Sequence, residues 1–258
     1  MMMMEAGLTI GTSWERLNWQ KNPVRLSTSS SVFIISSTIV PRIPRLLRPL
    51  AAWLRIPSLP TLVSQFLYEQ FHPDLDVPVE DVPSADCLHN VRVRLYPSAV
   101  ATYYAPSDKS GMGGMCRERI WSVHSWMGGP GRHDCVFITH NEDLAGFRVL
   151  YVGRVLAFLK ITHEKVEYPA ALISWFETVG SSPCPYTRMW KVHHELDETG
   201  RHKLKVIHLD SVLCAAHLVG VAGSSFIPYE LNHTNALDAY KTFYVNKYID
   251  YHAHEIAF

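Results

Sequence analysis

The sequence predicts a mainly β, α+β protein: a small antiparallel, partly open barrel with flanking helices, one of them C-terminal. Three observations carry this reading. Apolar residues recur with period two in several short segments from Val91 onward, turn residues separate those segments closely, and no helical pattern lies between them. Strands that follow one another without crossover helices pair antiparallel, and such a sheet buries its apolar face by curling. A chain of 258 residues with 47% hydrophobic residues can supply one sizeable core.

Residues 1–57 differ from the rest: STSSS, a short apolar run, then PRIPRLLRPLAAWLRIP, where proline or arginine interrupts every candidate element. A poorly ordered basic leader is expected, because residues 16–68 contain Arg16, Lys21, Arg25, Arg42, Arg45, Arg48 and Arg55 but no acid. Residues 58–90 read as a docking helix followed by an acidic, proline-rich linker. In SLPTLVSQFLYEQF, Ser58 can cap, Pro60 suits the first turn, and Leu62, Val63, Phe66, Leu67 and Phe71 share one face.

Residues 91–232 form the expected barrel domain. VRVRLYP alternates Val91, Val93 and Leu95 against Arg92, Arg94 and Tyr96, the pattern of a strand with one wet face. AVATYYA (99–105) and DCVFITH (134–140) follow as strands, then a long hairpin of 151–161 and 168–176. Its first strand is apolar on both sides, with Val155, Ala157, Leu159 and Ile161 opposite Leu156 and Phe158, so a second layer must cover one of them. RMWKVHHEL (188–196) and RHKLKVIHL (201–209), joined by DETG, read as a second hairpin with Gly200 at a positive-φ position. Residues 233–258 read as a C-terminal helix packed on the barrel, with Leu237, Tyr240, Tyr244, Tyr248 and Tyr251 on one stripe; it is a candidate cover for the hairpin.

Zero net formal charge argues against a chain that binds polyanions over its whole surface. Cys87, Cys116, Cys135, Cys184 and Cys214 lack CxxC spacing, and no secretory leader is recognisable; reduced thiols in an intracellular compartment are expected. VFIISSTIV (32–40) is too short to cross a bilayer, so no membrane partner is expected.

GMGGMCRERIWSVHSWMGGPGR (111–132) is glycine-rich but lacks the GxxxxGK[ST] spacing of a phosphate-binding loop, and a flexible connection between strands is the plain reading. Arg117, Arg119 and Arg132 beside Trp121 and Trp126 nevertheless have the composition of a surface that stacks bases and holds phosphates. Tyr103, Tyr104, Trp175 and Trp190 could instead converge as an aromatic cage for a methylated lysine, which needs two or three rings around one cation. An alternative class is a metal-dependent or hydrolytic enzyme using His193, His194, His208 and Asp210. No closed zinc spacing and no GxSxG motif support it, so no catalytic residue, metal or cofactor is assigned.

From about Leu59 to the end, the chain resembles the C-terminal region of Plavaka-type transposase polyproteins of mushroom-forming fungi, in the Kyakuja-Dileera-Zisupton group. The phrases carrying this are LPTLVSQFLYEQFHPD, YPSAVATYYAPSDKSGMGGMCRERI, RHDCVFITHNEDLAGFRVLYVGRVLAF, YPAALISWF, MWKV, VIHLDSVLCAAHLVGVAG and LDAYKTFYVNKYIDYHAHEIAF. The resemblance implies a transposon-derived accessory region. The three-carboxylate catalytic domain of such proteins, of RNase H type, lies upstream of the matched part, and no residue here matches it. DCVFITH, LYVGRVLAFLKI and AALISWF resemble more loosely the start of a bromo-adjacent homology domain, a chromatin-associated SH3-like barrel. Together these imply a non-catalytic, nuclear interaction module for protein, chromatin or nucleic acid, or else a remnant without function.

Overall fold

A computed structural model describes residues 32–35, 43–72, 91–105, 113–139, 146–224, 226–227, 229–232 and 234–257. The strands are β1 (Val32–Ile35), β2 (Arg92–Tyr96), β3 (Ser98–Tyr104), β4 (Met115–Val123), β5 (Arg132–His133), β6 (Cys135–Thr139), β7 (Leu150–His163), β8 (Val166–Thr178), β9 (Lys191–His194), β10 (Leu204–His208), β11 (Val212–Ala216), β12 (Leu218–Gly220) and β13 (Thr242–Val245). The helices are α1 (Leu47–Leu54), α2 (Leu59–Phe71), α3 (Ala236–Ala239) and α4 (Tyr251–Ile256). The expected mainly β class, with a nearly closed antiparallel barrel and a C-terminal helix, is what the structure has.

The long hairpin is the barrel's spine. β7 and β8 pair from His163↔Val166 to Val152↔Phe176, and the polar link shrinks to Glu164 and Lys165, both at positive φ. β6 and β2 share the other edge of β7, and β9 and β10 share the other edge of β8. The two ends of the sheet meet through one stretch of chain: β11 pairs with β6, β12 pairs with β13, and only His217 separates β11 from β12. His217 accepts a hydrogen bond from the Asn246 N–H (2.9 Å) on its carbonyl, which pins this corner. A four-stranded sheet in the order β1-β3-β4-β5 packs against the barrel.

A bulge divides the apolar interior in two. Between Val155↔Ile173 and Ala157↔Leu172 the register slips by one residue at Leu156. Because side chains alternate, a one-residue slip moves everything beyond it to the opposite face. Val155 therefore lies in the same core as Phe137, Phe176 and Phe243, whereas Ala157, Leu159 and Ile161 line a second core beneath α1 and α2.

That second core corrects two expectations. The cover on the hairpin comes from the N-terminal side: Leu47, Leu50 and Ala51 of α1 and Leu59, Val63, Phe66 and Leu67 of α2 are buried against it. Part of the stretch expected to be a poorly ordered leader is thus structured, since α1 packs here and β1 pairs with β3. The docking helix at 59–71 forms as expected with Pro60 in its first turn, but Ser58 makes no side-chain cap and Phe71 is exposed. The linker expected in HPDLDVPVEDVPSAD (72–86) lies, after His72, outside the described residues.

The C-terminal segment is more than one helix. TFYV forms β13, placing Phe243 and Val245 in the barrel core by period-two alternation, while Tyr248 and Tyr251 of the expected stripe are exposed. Its helical end survives as α4, whose Asp250 accepts the Ala253 N–H at 2.7 Å. The second hairpin also differs. Gly200 does take a positive φ of 76°, but β9 and β10 do not pair with each other. They run end to end along β8, and only residues 195–203 loop outward as a small hairpin closed by Lys203 N–H to Glu195 O at 2.8 Å. Among the described residues, no helix is long and apolar enough to cross a membrane.

Candidate nucleic-acid interface

The glycine-rich segment expected to connect strands flexibly contains a nine-residue strand, β4. In β4, Cys116, Ile120 and Ser122 are buried while Met115, Arg117 and Arg119 are exposed and Trp121 is half-buried. Three charges in the middle of the run hide this alternation from a hydropathy reading. On the inner side Glu118 accepts the backbone N–H of Ala215, tying this sheet to β11. Burial raises its carboxyl above the usual range, and the charges of Asp250 and Asp134 add to that.

The outer side of β4 carries the proposed stacking residues, and a tight turn completes them. The Trp126 carbonyl accepts the Gly129 N–H at 2.9 Å across Met127 (φ 51°) and Gly128 (φ 80°). Positive φ at both central residues folds the chain back so that Trp126 returns to β4. The two indoles then meet edge to face at 4.5 Å, with the Arg119 guanidinium 5.5 Å from the Trp121 ring centre and the Arg132 guanidinium 4.9 Å from that of Trp126. The result is one row, Arg119, Trp121, Trp126 and Arg132. Arg117 stands two residues from Arg119 on the same face, about 6.7 Å along the strand.

Asp134 organises the row. Its Oδ1 accepts from Arg132 Nε at 2.7 Å, and its Oδ2 accepts from Arg132 Nη2 at 3.0 Å and from the Trp121 backbone N–H at 2.8 Å. Sequence reading missed this residue, although the i, i+2 spacing of Arg132 and Asp134 on a strand would place both on one side. Arg119 instead donates to Ser98 Oγ at 3.1 Å, and neither Arg117 nor Arg119 has a carboxylate partner among the described residues. Beside the row, α1 brings Trp53 edge-on to His124 at 4.4 Å. Burial depresses the pKa of His124 and of His133, so neither adds positive charge at neutral pH.

The other predicted groupings do not assemble. Tyr103 is buried and stacks on His252 at 4.5 Å, Trp175 is buried against Tyr151, and Trp190 is buried and stacks on Phe147 at 5.4 Å. Tyr104 alone is exposed, so the four rings form no cage. His193 pairs with Glu177 and His208 with Asp210. His194 lies between Phe176 and His202, stacked at 4.4 and 4.2 Å. His194 faces position 176 of β8 and His208 faces position 170, which separates them by about 20 Å along the strand. Among the described residues no group of three or more His, Cys, Asp or Glu could hold a metal ion. Comparisons with protein-family models, with curated proteins and with solved structures find no match for this chain.

Proposed function

We propose that the protein is a non-catalytic interaction module that binds single-stranded nucleic acid on the β4–β5 face. The observation that supports this most is the row of two indoles and two guanidinium groups, flanked by Arg117, on a partly exposed sheet surface. Aromatic and guanidinium planes stack on any base, and arginines without carboxylate partners attract the backbone, which together give sequence-tolerant binding to single strands. The resemblance to an accessory region of transposase polyproteins suits a nucleic-acid partner and a nuclear location. The dispersal of Tyr103, Trp175 and Trp190 leaves the methyl-lysine reading without a pocket.

The test is filter binding of labelled single-stranded DNA and RNA across a range of salt. Trp126→Ala removes one stacking plane and is expected to cost about 1–3 kcal/mol of affinity. Arg119→Gln is expected to flatten the salt dependence. Absence of salt-sensitive binding to either nucleic acid rejects the proposal.

A further inference from the structure

The geometry points to Asp134 as a positioning residue that removes Arg132 from phosphate binding and dedicates it to the Trp126 platform. This rests on the reading of the β4–β5 face as a single-strand site. Arg132 opens β5 opposite Val123 of β4 at the end of the row, and its bonds to Asp134 occupy the Nε–Nη2 edge, one of the two guanidinium edges that can fork around a phosphate, while the carboxylate offsets its charge. Its flat face lies over Trp126 at 4.9 Å. The carboxylate is itself held, since it also accepts the Trp121 N–H at 2.8 Å and its side chain is 19% exposed against 42% for Arg132. Swinging Arg132 away would therefore leave Asp134 with a charge and no cationic partner.

The consequence is a site with three arginines but two phosphate contacts, Arg117 and Arg119. Each neutralised phosphate contributes about −0.7 to the slope of log affinity against log salt on a single strand, so two contacts give about −1.4 and three about −2.1. Between 50 and 200 mM salt, that is about a sevenfold loss of affinity against about an eighteenfold loss. His124 and His133, whose pKa burial depresses, are neutral at pH 7.5 and do not enter the count.

The experiment measures the salt slope of oligothymidine binding at pH 7.5 for the full chain, for Asp134→Asn and for Arg132→Gln, with circular dichroism confirming the fold. Asparagine keeps an acceptor for the Trp121 N–H but frees the guanidinium edge. The expected slopes are about −1.4 for the parent, about −2.1 for Asp134→Asn and about −1.4 for Arg132→Gln, the last with lower affinity at every salt concentration. If Asp134→Asn does not fold, Arg132→Gln decides alone. A parent slope of about −2.1 that falls to about −1.4 in Arg132→Gln, or a folded Asp134→Asn that keeps the parental slope, overturns the role of Asp134 and leaves the nucleic-acid reading standing. A parent that does not bind at all overturns that reading itself.

Discussion

Replacing Gly153 with alanine tests how closely the barrel wall is packed. Gly153 of β7 lies opposite Trp175 of β8 and Val136 of β6, in the middle of the sheet. A methyl group there would come within 2.3 Å of Ile173 Cγ2 and 3.0 Å of Ile138 Cδ1. Both isoleucines are fully buried, and neither contact is the free end of a surface side chain. Dense interiors relieve such overlap only by moving side chains off their rotamers or the strand off its register, at about 1–3 kcal/mol. With a urea slope of about 3 kcal/mol/M, the unfolding midpoint should fall by about 0.3–1 M. Ile173→Ala removes the clashing carbon but leaves a cavity and should cost about 2–5 kcal/mol alone. Because the added methyl occupies that space, Gly153→Ala with Ile173→Ala should be less destabilised than the sum, by at least about 1 kcal/mol. Urea denaturation followed by tryptophan fluorescence reads all three variants. An unchanged midpoint for Gly153→Ala, or strict additivity in the double variant, would refute the close crossing of β7 and β8 at this point.

Two other properties are open to direct measurement. Cys184 is half-exposed, and hydrogen bonds from the Thr187 hydroxyl, the Thr187 and Tyr186 amides and the Tyr244 hydroxyl lower its pKa to about 6, while burial pushes Cys135 up to about 12. Iodoacetamide mapped by peptide mass spectrometry should label Cys184 first, with half-maximal rate near its pKa of about 6, and Thr187→Val should move that midpoint upward; prior labelling of Cys116, Cys135 or Cys214 would contradict this. Burial depresses the pKa of His124, His133 and His194. The unfolded chain then binds protons first as pH falls below about 6.5, so stability present above that pH is lost on acidification. The raised carboxyl of Glu118 acts oppositely, contributing stability that is lost as pH rises above the usual carboxylate range. The urea midpoint should therefore drop between pH 7.5 and 5.5, and drop less in His194→Gln; an equal drop in that variant would remove His194 from the account.

Much of the barrel was legible from residue order alone. Val91, Val93 and Leu95 alternate and are all buried, the long apolar hairpin is the spine of the sheet, and Val63, Phe66 and Leu67 mark the inner face of α2. At the candidate site, Arg117, Arg119, Trp121, Trp126 and Arg132 were recognisable by composition, and four of them do form one row. The cage residues were not separable from core aromatics, because a tryptophan on a strand carries no local mark of whether its partner is a ligand or a phenylalanine such as Phe147.

Sequence by itself determined which segments are extended and which sides of them are apolar, since those follow from side-chain alternation and turn chemistry within a few residues. Only the tertiary structure decided the partners. The slip at Leu156 sends Val155 and Ala157 to different cores, although they look equivalent in a period-two pattern. α1, broken up by arginine and proline, becomes ordered because the face of Ala157, Leu159 and Ile161 needs a cover. TFYV joins the sheet because β9 and β12 both offer it an edge. The pairing of Arg132 with Asp134 rather than with solvent depends on the Trp121 amide holding that carboxylate in place. Each outcome is settled by contacts between residues far apart in the chain, whose free energy exceeds the small local preferences that a sequence pattern reports.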